Sequence, residues 1–257
     1  MLLFAQLVHQ LVNNLLKENE RFDDLQLDGL EIIQNQSGYK FSTDSVLLAN
    51  FAKAKQNDVY VDLCSGSGVV AILFSWKNKL KKAYAVELQP QLADMAKRSI
   101  LHNKLDGVIE VLNQDLSTTH QTLGYESVDV ITVNPPYNEF GETSEIDEIA
   151  VATHELKTNL SEIVKVSSKL LKFGGKLFMV HKAERLVDIV FECRKNKLEP
   201  KSIKVVYPKE NKEPNLVLIE ASKGGKPGVK IQKPLILNNA DGSETQELKS
   251  IYNRKSK

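Results

Sequence analysis

Four consecutive residues, Asn134-Pro135-Pro136-Tyr137, carry the most specific chemistry in the chain. Adjacent prolines remove two backbone donors and stiffen the main chain, so the segment presents mainly carbonyl oxygens. Such a loop suits a guest rich in donors. A planar amino group is one: the Asn134 side-chain oxygen and the Pro135 carbonyl can accept its two hydrogens, and the Tyr137 ring can stack on the flat group that carries it. Those acceptors also favour positive charge developing on the nitrogen as it attacks an electrophile held in line. They help free a lone pair that is delocalised in the ground state. Asn134, Pro135, Pro136 and Tyr137 are therefore the candidate catalytic residues, Asn134 and Tyr137 also contact the substrate, and the chemistry requires no metal. A rigid turn without function is the bland alternative. With proline at roughly 5% of residues, the tetrapeptide would arise by chance in such a chain on the order of one time in a thousand, which favours the chemical reading.

A second constellation lies upstream. The apolar run Val59-Tyr60-Val61-Asp62-Leu63 leads directly into Cys64-Ser65-Gly66-Ser67-Gly68 and then into a helical run, so the glycines fall at a strand-to-helix turn. Glycine permits tight backbone angles and close ligand approach, and the helix start offers free N–H groups. Gly66-x-Gly68-x-x-Ala71 also satisfies a dinucleotide fingerprint, so a nicotinamide-dependent dehydrogenase competes with a methyl-donor enzyme. Asp62 discriminates between them. A carboxylate just before the loop sits poorly beside a pyrophosphate and well beside a cationic ligand such as the methionyl part of S-adenosylmethionine. Glu87 ends the next strand, where a carboxylate can accept from both ribose hydroxyls in either reading. Asp115 follows the third strand, placed for an adenine contact or for a plain helix cap.

The elements that must position these residues alternate. Strands are predicted at 59–63, 83–87, 108–112, 128–133 and 176–181, and helices at 69–77, 91–103, 158–171 and 183–194, which is the pattern of an α/β fold with a mostly parallel sheet. Gly174-Gly175 is read as the end of a helix and the start of the fifth strand. Runs at 202–207 and 216–221 read as a closing antiparallel pair. Ahead of the alternation, residues 1–16 have apolar positions at helical spacing. Residues 25–41 break into short pieces at Asp28-Gly29 and Ser37-Gly38, suggesting a small antiparallel element, and Ser42 or Thr43 could cap a helix to about Ala54. The division is a helical extension over 1–17, a hairpin and helix over 18–57, a core over 58–222 and a basic tail over 223–257.

The 257 residues are 42% hydrophobic, enough for one substantial core. No apolar run reaches the roughly 18–20 residues of a membrane span, and the Met1–Val8 stretch lacks a basic leader and cleavage site, so a cytoplasmic protein with no membrane partner is expected. Cys64 and Cys193 have neither disulfide-framework nor zinc-ligand spacing, so reduced thiols and no metal site are expected. The net charge of +1 is uneven. Residues 1–196 carry 21 Lys+Arg and 26 Asp+Glu, while residues 197–257 carry 13 and 7, balances of −5 and +6. Lys223, Lys226 and Lys230 in the glycine-rich stretch after Ser222 are candidate phosphate contacts, with a solvated basic face as the alternative.

Taken together, Asp62-Leu-Cys-Ser-Gly-Ser-Gly68, Glu87, Asp115 and Asn134-Pro-Pro-Tyr137 resemble the amino-methylating branch of the class I S-adenosylmethionine-dependent methyltransferases. The resemblance implies a Rossmann-like seven-stranded sheet with an antiparallel C-terminal pair. Within that branch the tetrapeptide serves adenine N6 enzymes and release-factor glutamine enzymes, and close variants serve guanine N2 enzymes of ribosomal RNA. Glu20-Arg-Phe-Asp-Asp-Leu25, Gly38-Tyr-Lys-Phe-Ser-Thr-Asp-Ser-Val-Leu-Leu48, His154-Glu155 and Lys223-Gly-Gly-Lys-Pro-Gly228 look narrower still, like the bacterial valine-tRNA adenine-37 N6-methyltransferases, over roughly residues 18–252. By that likeness Phe41 and Asp44 belong to a segment closing over the cofactor, Asp62, Gly66, Gly68, Glu87 and Asp115 hold it, and Asn134 to Tyr137 hold the adenine of a tRNA. Departures exist: residues 1–17 precede the family's usual start, Asn138 and Thr153 stand where an aromatic and a basic residue are common, and Glu139, Glu142, Glu145, Asp147 and Glu148 make an acidic insert.

Overall fold

The computed structural model describes residues 15–36, 41–136 and 160–252. It opens with a hairpin, β1 (Glu20–Asp24) against β2 (Glu31–Asn35), followed by α1 (Thr43–Phe51). From Val59 the elements alternate: β3 (Val59–Leu63), α2 (Val69–Asn78), β4 (Lys82–Glu87), α3 (Pro90–His102), β5 (Ile109–Asn113), α4 (Thr119–Leu123), β6 (Val128–Val133), α5 (Leu160–Leu170), β7 (Leu171–Lys182) and α6 (Leu186–Lys195). Then come β8 (Leu198–Lys209), β9 (Leu216–Lys223), the short β10 (Lys230–Ile231) and β11 (Leu235–Asn238), and α7 (Gln246–Ile251). The main sheet runs β8-β9-β7-β6-β3-β4-β5, parallel from β7 to β5, with β9 antiparallel to both its neighbours. Those are the seven strands and the antiparallel pair expected from the sequence. β10 and β11 add a parallel fringe on β8.

Burial on both faces explains why the central strands read as continuous apolar runs. Tyr60, Phe178 and Val180 point to the face covered by the hairpin, α1 and α2. Val61, Leu63, Val133, Leu177 and Met179 point to the face covered by α5 and α6. The period of two along each strand divides one sheet between two cores.

Several boundaries move. The hairpin's first strand is the polar Glu20–Asp24, upstream of the predicted 25–41 element, because its outer face is wet and apolar spacing therefore misses it. The turn itself does sit at Asp28-Gly29, both with positive φ. Ser42 takes the N-cap position of α1, but its side chain makes no capping bond. α5 ends at Leu170, before the Gly174-Gly175 pair, which instead lies inside β7 where the register with β6 jumps from Val128↔Leu171 to Val130↔Lys176. Gly174 has φ +79, and a Cβ on Gly175 would lie 2.9 Å from the Lys172 carbonyl oxygen, so these glycines accommodate a bulge. The polar end is not a free tail as far as Tyr252. Leu235 of β11 and Leu248 of α7 are 1% and 5% exposed in the first core. Of the predicted first helix, residues 1–14 lie outside the described residues, and Leu15 and Leu16 are not helical.

The hairpin is fastened to α3. Arg98 forms a salt bridge with Glu20, His102 Nε2 lies 2.8 Å from Glu31, and the Ile33 N–H donates to Ser99 Oγ at 2.9 Å. Phe22 stacks on the His102 ring at 4.2 Å.

Candidate active site

Leu63 and Val133 are register partners, so β3 and β6 emerge side by side at the carboxyl edge of the sheet. The glycine loop and Asn134 therefore start about one strand spacing apart, roughly 4.8 Å. This edge, outside the carboxyl ends of parallel strands, is where open α/β sheets place ligands.

The chain turns sharply after β3. Cys64, Gly66 and Gly68 have φ of +57, +57 and +94. A Cβ built on Gly66 meets nothing within 4 Å, whereas one on Gly68 would lie 3.3 Å from Ala96 Cβ on α3. Gly66 thus leaves an open face above the loop, and Gly68 allows the start of α2 to pack on α3. The loop is stitched to β4 by Ser65 N–H to the Val86 carbonyl at 3.0 Å. Glu87 completes the clamp: it accepts Gly66 N–H on Oε2 and Gln89 N–H on Oε1, each at 2.8 Å.

Asp62 is 1% exposed and its carboxylate is enclosed. Thr132 Oγ1 donates to Oδ1 at 2.6 Å and Ser65 Oγ to Oδ2 at 2.7 Å. Burial pushes its carboxyl up to about 7, with these hydroxyls pulling the other way. Asp115 accepts Ser117 N–H at 2.9 Å and caps the short turn after β5, so the helix-cap reading describes its observed bond. The structure gathers these acids. The Cys64 thiol is pushed up first by burial and then by Glu87, Asp62 and Asp115, so all three carboxylates act on one point in the loop. Both Cys64 and Cys193 are free.

That field decides between the two cofactor readings. Three carboxylates around a loop with an open glycine face fit a ligand carrying sulfonium and ammonium charges, and they repel a pyrophosphate. The residues present fit S-adenosylmethionine.

Asn134 leaves β6 partly buried, and its Nδ2 donates to Ser45 Oγ on α1 at 3.1 Å. Asp44 occupies the first turn of that helix beside Ser45. Pro135 is buried and Pro136 exposed. Tyr137 lies outside the described residues, as do the acidic insert and His154-Glu155. Phe41 packs on the first core, and its N–H donates to Gln34 Oε1 at 2.8 Å.

Gln34 is the residue the sequence reading missed. It is 3% exposed, and its Nε2 donates to Ser67 Oγ in the glycine loop at 2.8 Å. One amide in β2 thereby ties the hairpin, Phe41 and the glycine loop together. A glutamine flanked by Ile33 and Asn35 gives no motif, and only the three-dimensional pairing reveals it.

The candidate lysines do not join this cluster. Lys223 is opposite the amino end of β7, where its Nζ bonds Glu126 Oε1 at 3.0 Å and the Leu171 carbonyl at 2.8 Å. Lys230 pairs with Ser202 on the fringe of β8, and the Lys226 carbonyl accepts from Lys201.

The methyltransferase small domain family model matches residues 37–192, spanning the glycine loop, the acids and the Asn134 segment. A tRNA1(Val) (adenine(37)-N6)-methyltransferase of Aliivibrio salmonicida is 25% identical over 205 residues, covering 80% of this chain and 86% of the relative. Among solved structures, a predicted O-methyltransferase of Agrobacterium tumefaciens aligns with a TM-score of 0.68 at 19% identity, covering 83% of this chain and 98% of the other. The M. jannaschii protein TYW2 in complex with AdoMet aligns with a TM-score of 0.55 at 16% identity, covering 80% and 88%. These structural likenesses establish the fold.

Proposed function

Because the chain belongs to the methyltransferase small domain family, we propose that it transfers a methyl group from S-adenosylmethionine to the N6 amino nitrogen of an adenine in RNA, adenosine 37 of a valine tRNA. Methyl transfer and this cofactor belong to the family reading; the acceptor is the proposal. The observation that carries it is Asn134, held by Ser45 beside the acid-lined glycine loop.

The glycine loop with Gly66 and Gly68 would hold S-adenosylmethionine, which would supply a methyl carbon activated by its sulfonium charge. The residues of this chain do the rest. Committing Asn134 Nδ2 to Ser45 fixes the amide's orientation, so Oδ1 is the atom with which Asn134 accepts an amino hydrogen. The Pro135 carbonyl accepts the second, and Tyr137 stacks on the base. Both oxygens favour positive charge as it grows on N6. Neither is basic enough to retain the proton that leaves afterwards, which passes to water. Glu87 and Asp115 orient the nucleoside end of the donor.

The choice of adenine rests on the tRNA-modifying relatives. Incubation with labelled S-adenosylmethionine and, separately, total RNA, ribosomal subunits and release factors, followed by digestion, tests the assignment. Label in N6-methyladenosine from tRNA is expected; label in glutamine or in guanosine of ribosomal RNA would overturn it. Among the described residues no helix is long and apolar enough to cross a membrane.

A further inference from the structure

Thr132 and Tyr60 have no part in the scheme above, yet they make the shortest polar contacts beneath the glycine loop. Tyr60 is fully buried on β3, and its phenol lies 2.6 Å from Thr132 Oγ1 on β6. Thr132, also fully buried, lies 2.6 Å from Asp62 Oδ1. An ionised carboxylate only accepts, so the single Thr132 proton points to Asp62, and the Tyr60 hydroxyl must donate to Thr132. While Asp62 is ionised, donation runs from Tyr60 to Thr132 to Asp62. Tyr60 keeps its proton, because burial and then the Asp62 charge push its phenol far up.

Two hydroxyls in line are costly to bury unless they stabilise something. We propose that Thr132, backed by Tyr60, is a positioning residue for cofactor binding: the pair forms a relay that keeps the enclosed Asp62 carboxylate charged beneath the glycine loop. The inference rests on the reading of Asp62 as the acid that attracts the cationic donor.

Every group facing Asp62 defines the balance. Glu87 on β4 opposes its ionisation, as does its burial. Cys64 at the loop is held neutral by Glu87, Asp62 and Asp115, and Tyr60 is neutral as well. α2 contributes the Ala71 N–H, and the loop contributes Ser65. Among these described residues none is a cation. Charge on Asp62 therefore depends on donated hydrogen bonds, of which Thr132 gives the shortest, and its ionisation falls near neutral pH, at about 7.

The test is the pH dependence of S-adenosylhomocysteine affinity, measured by calorimetry from pH 6 to 9 on the full chain and on Thr132→Val, Thr132→Ser, Tyr60→Phe and Asp62→Asn. The ratio of variant to parent dissociation constants cancels titration of the ligand's own amino group. A hydrogen bond to a charged group is worth about 1.5–3 kcal/mol, so its loss raises the carboxyl by about one to two pH units. Thr132→Val should then bind about five- to fifty-fold more weakly at pH 7 and within about twofold of the parent at pH 9. Thr132→Ser should restore the parent profile, and Tyr60→Phe should shift it in the same direction by less. A ratio for Thr132→Val that is flat with pH, whether at one or well above it, would overturn the relay. Parent-like binding by Asp62→Asn at every pH would instead overturn the underlying assignment of Asp62.

Discussion

The two loop glycines should fail in different ways when each is given a methyl group. Gly66 has φ +57, within the left-handed well, and a Cβ there meets nothing within 4 Å. Gly66→Ala should cost only the left-handed backbone term, about 1–2 kcal/mol. Gly68 has φ +94, outside that well, and its Cβ would press on Ala96 Cβ at 3.3 Å. To the backbone term it adds overpacking, typically about 1–3 kcal/mol, giving roughly 2–5 kcal/mol. At about 2–4 °C per kcal/mol for a chain of this size, the thermal midpoints should fall by roughly 2–8 °C and 4–20 °C. Ligand binding should rank them the other way relative to stability, because the Gly66 methyl occupies the open face over the loop. We expect Gly66→Ala to lose at least about tenfold in S-adenosylhomocysteine affinity, since a ligand approaching the main chain cannot tolerate a Cβ there. Urea unfolding and calorimetry on the same preparations give both numbers. Parent-like binding by Gly66→Ala, or equal destabilisation by the two substitutions, would refute this account of the loop.

Three further outcomes are expected. Asn134→Ala should cut turnover by roughly 10²-fold with cofactor affinity retained, as for loss of one oriented transition-state hydrogen bond; normal turnover in a folded variant would remove Asn134 from the mechanism. Gln34→Ala should raise KM for the methyl donor several-fold with little change in kcat, because it frees Ser67 and the Phe41 N–H together; an equal fall in both parameters, or none, would deny it a positioning role. His181 is 7% exposed, and burial first, then Arg185 and Lys182, lower its imidazole to about 4. Its unfolded value near 6.5 is higher, so this contribution to stability is present above pH 6.5 and is lost as pH falls towards 4. Denaturant unfolding should show a flatter slope over that range for His181→Gln than for the parent.

What the sequence disclosed follows from which forces are local. Strands β3 and β6 are bounded as predicted, because runs such as Val128–Val133 are buried on both faces and end at turn or proline residues. The acids at 62, 87 and 115 were legible because each lies within two residues of the carboxyl end of a strand, so the alternation brings them to one edge. Gln34 was not, since its meaning lies in a contact 33 residues away in the chain. β1 escaped notice because Arg21, Asp23 and Glu20 are polar and its stability comes from pairing and from Arg98. The fringe strands β10 and β11 are too short for a periodicity to register. They form because Leu235 and the following residues can add to the outer edge of β8.

The basic residues pose a separate electrostatic problem, which the fold resolves by distance. Under the proposed function a cationic methyl donor is drawn by the negative field of Asp62, Glu87 and Asp115, and the RNA substrate is repelled by it. Lys230 lies on β10, five strand spacings from β3 along the order β3-β6-β7-β9-β8-β10, or roughly 24 Å at the usual spacing. That exceeds the Debye length of about 8 Å at physiological ionic strength, so the two fields act almost independently. Lys230 lies on the fringe of β8, whereas α7 of the same basic segment returns to α1, where Tyr252 Oη lies 3.5 Å from Thr43 Oγ1. Lys223 does not add to the positive face, since Glu126 neutralises it. Under the proposed function, RNA affinity and donor affinity therefore answer to different residues, and salt should weaken the first far more than the second.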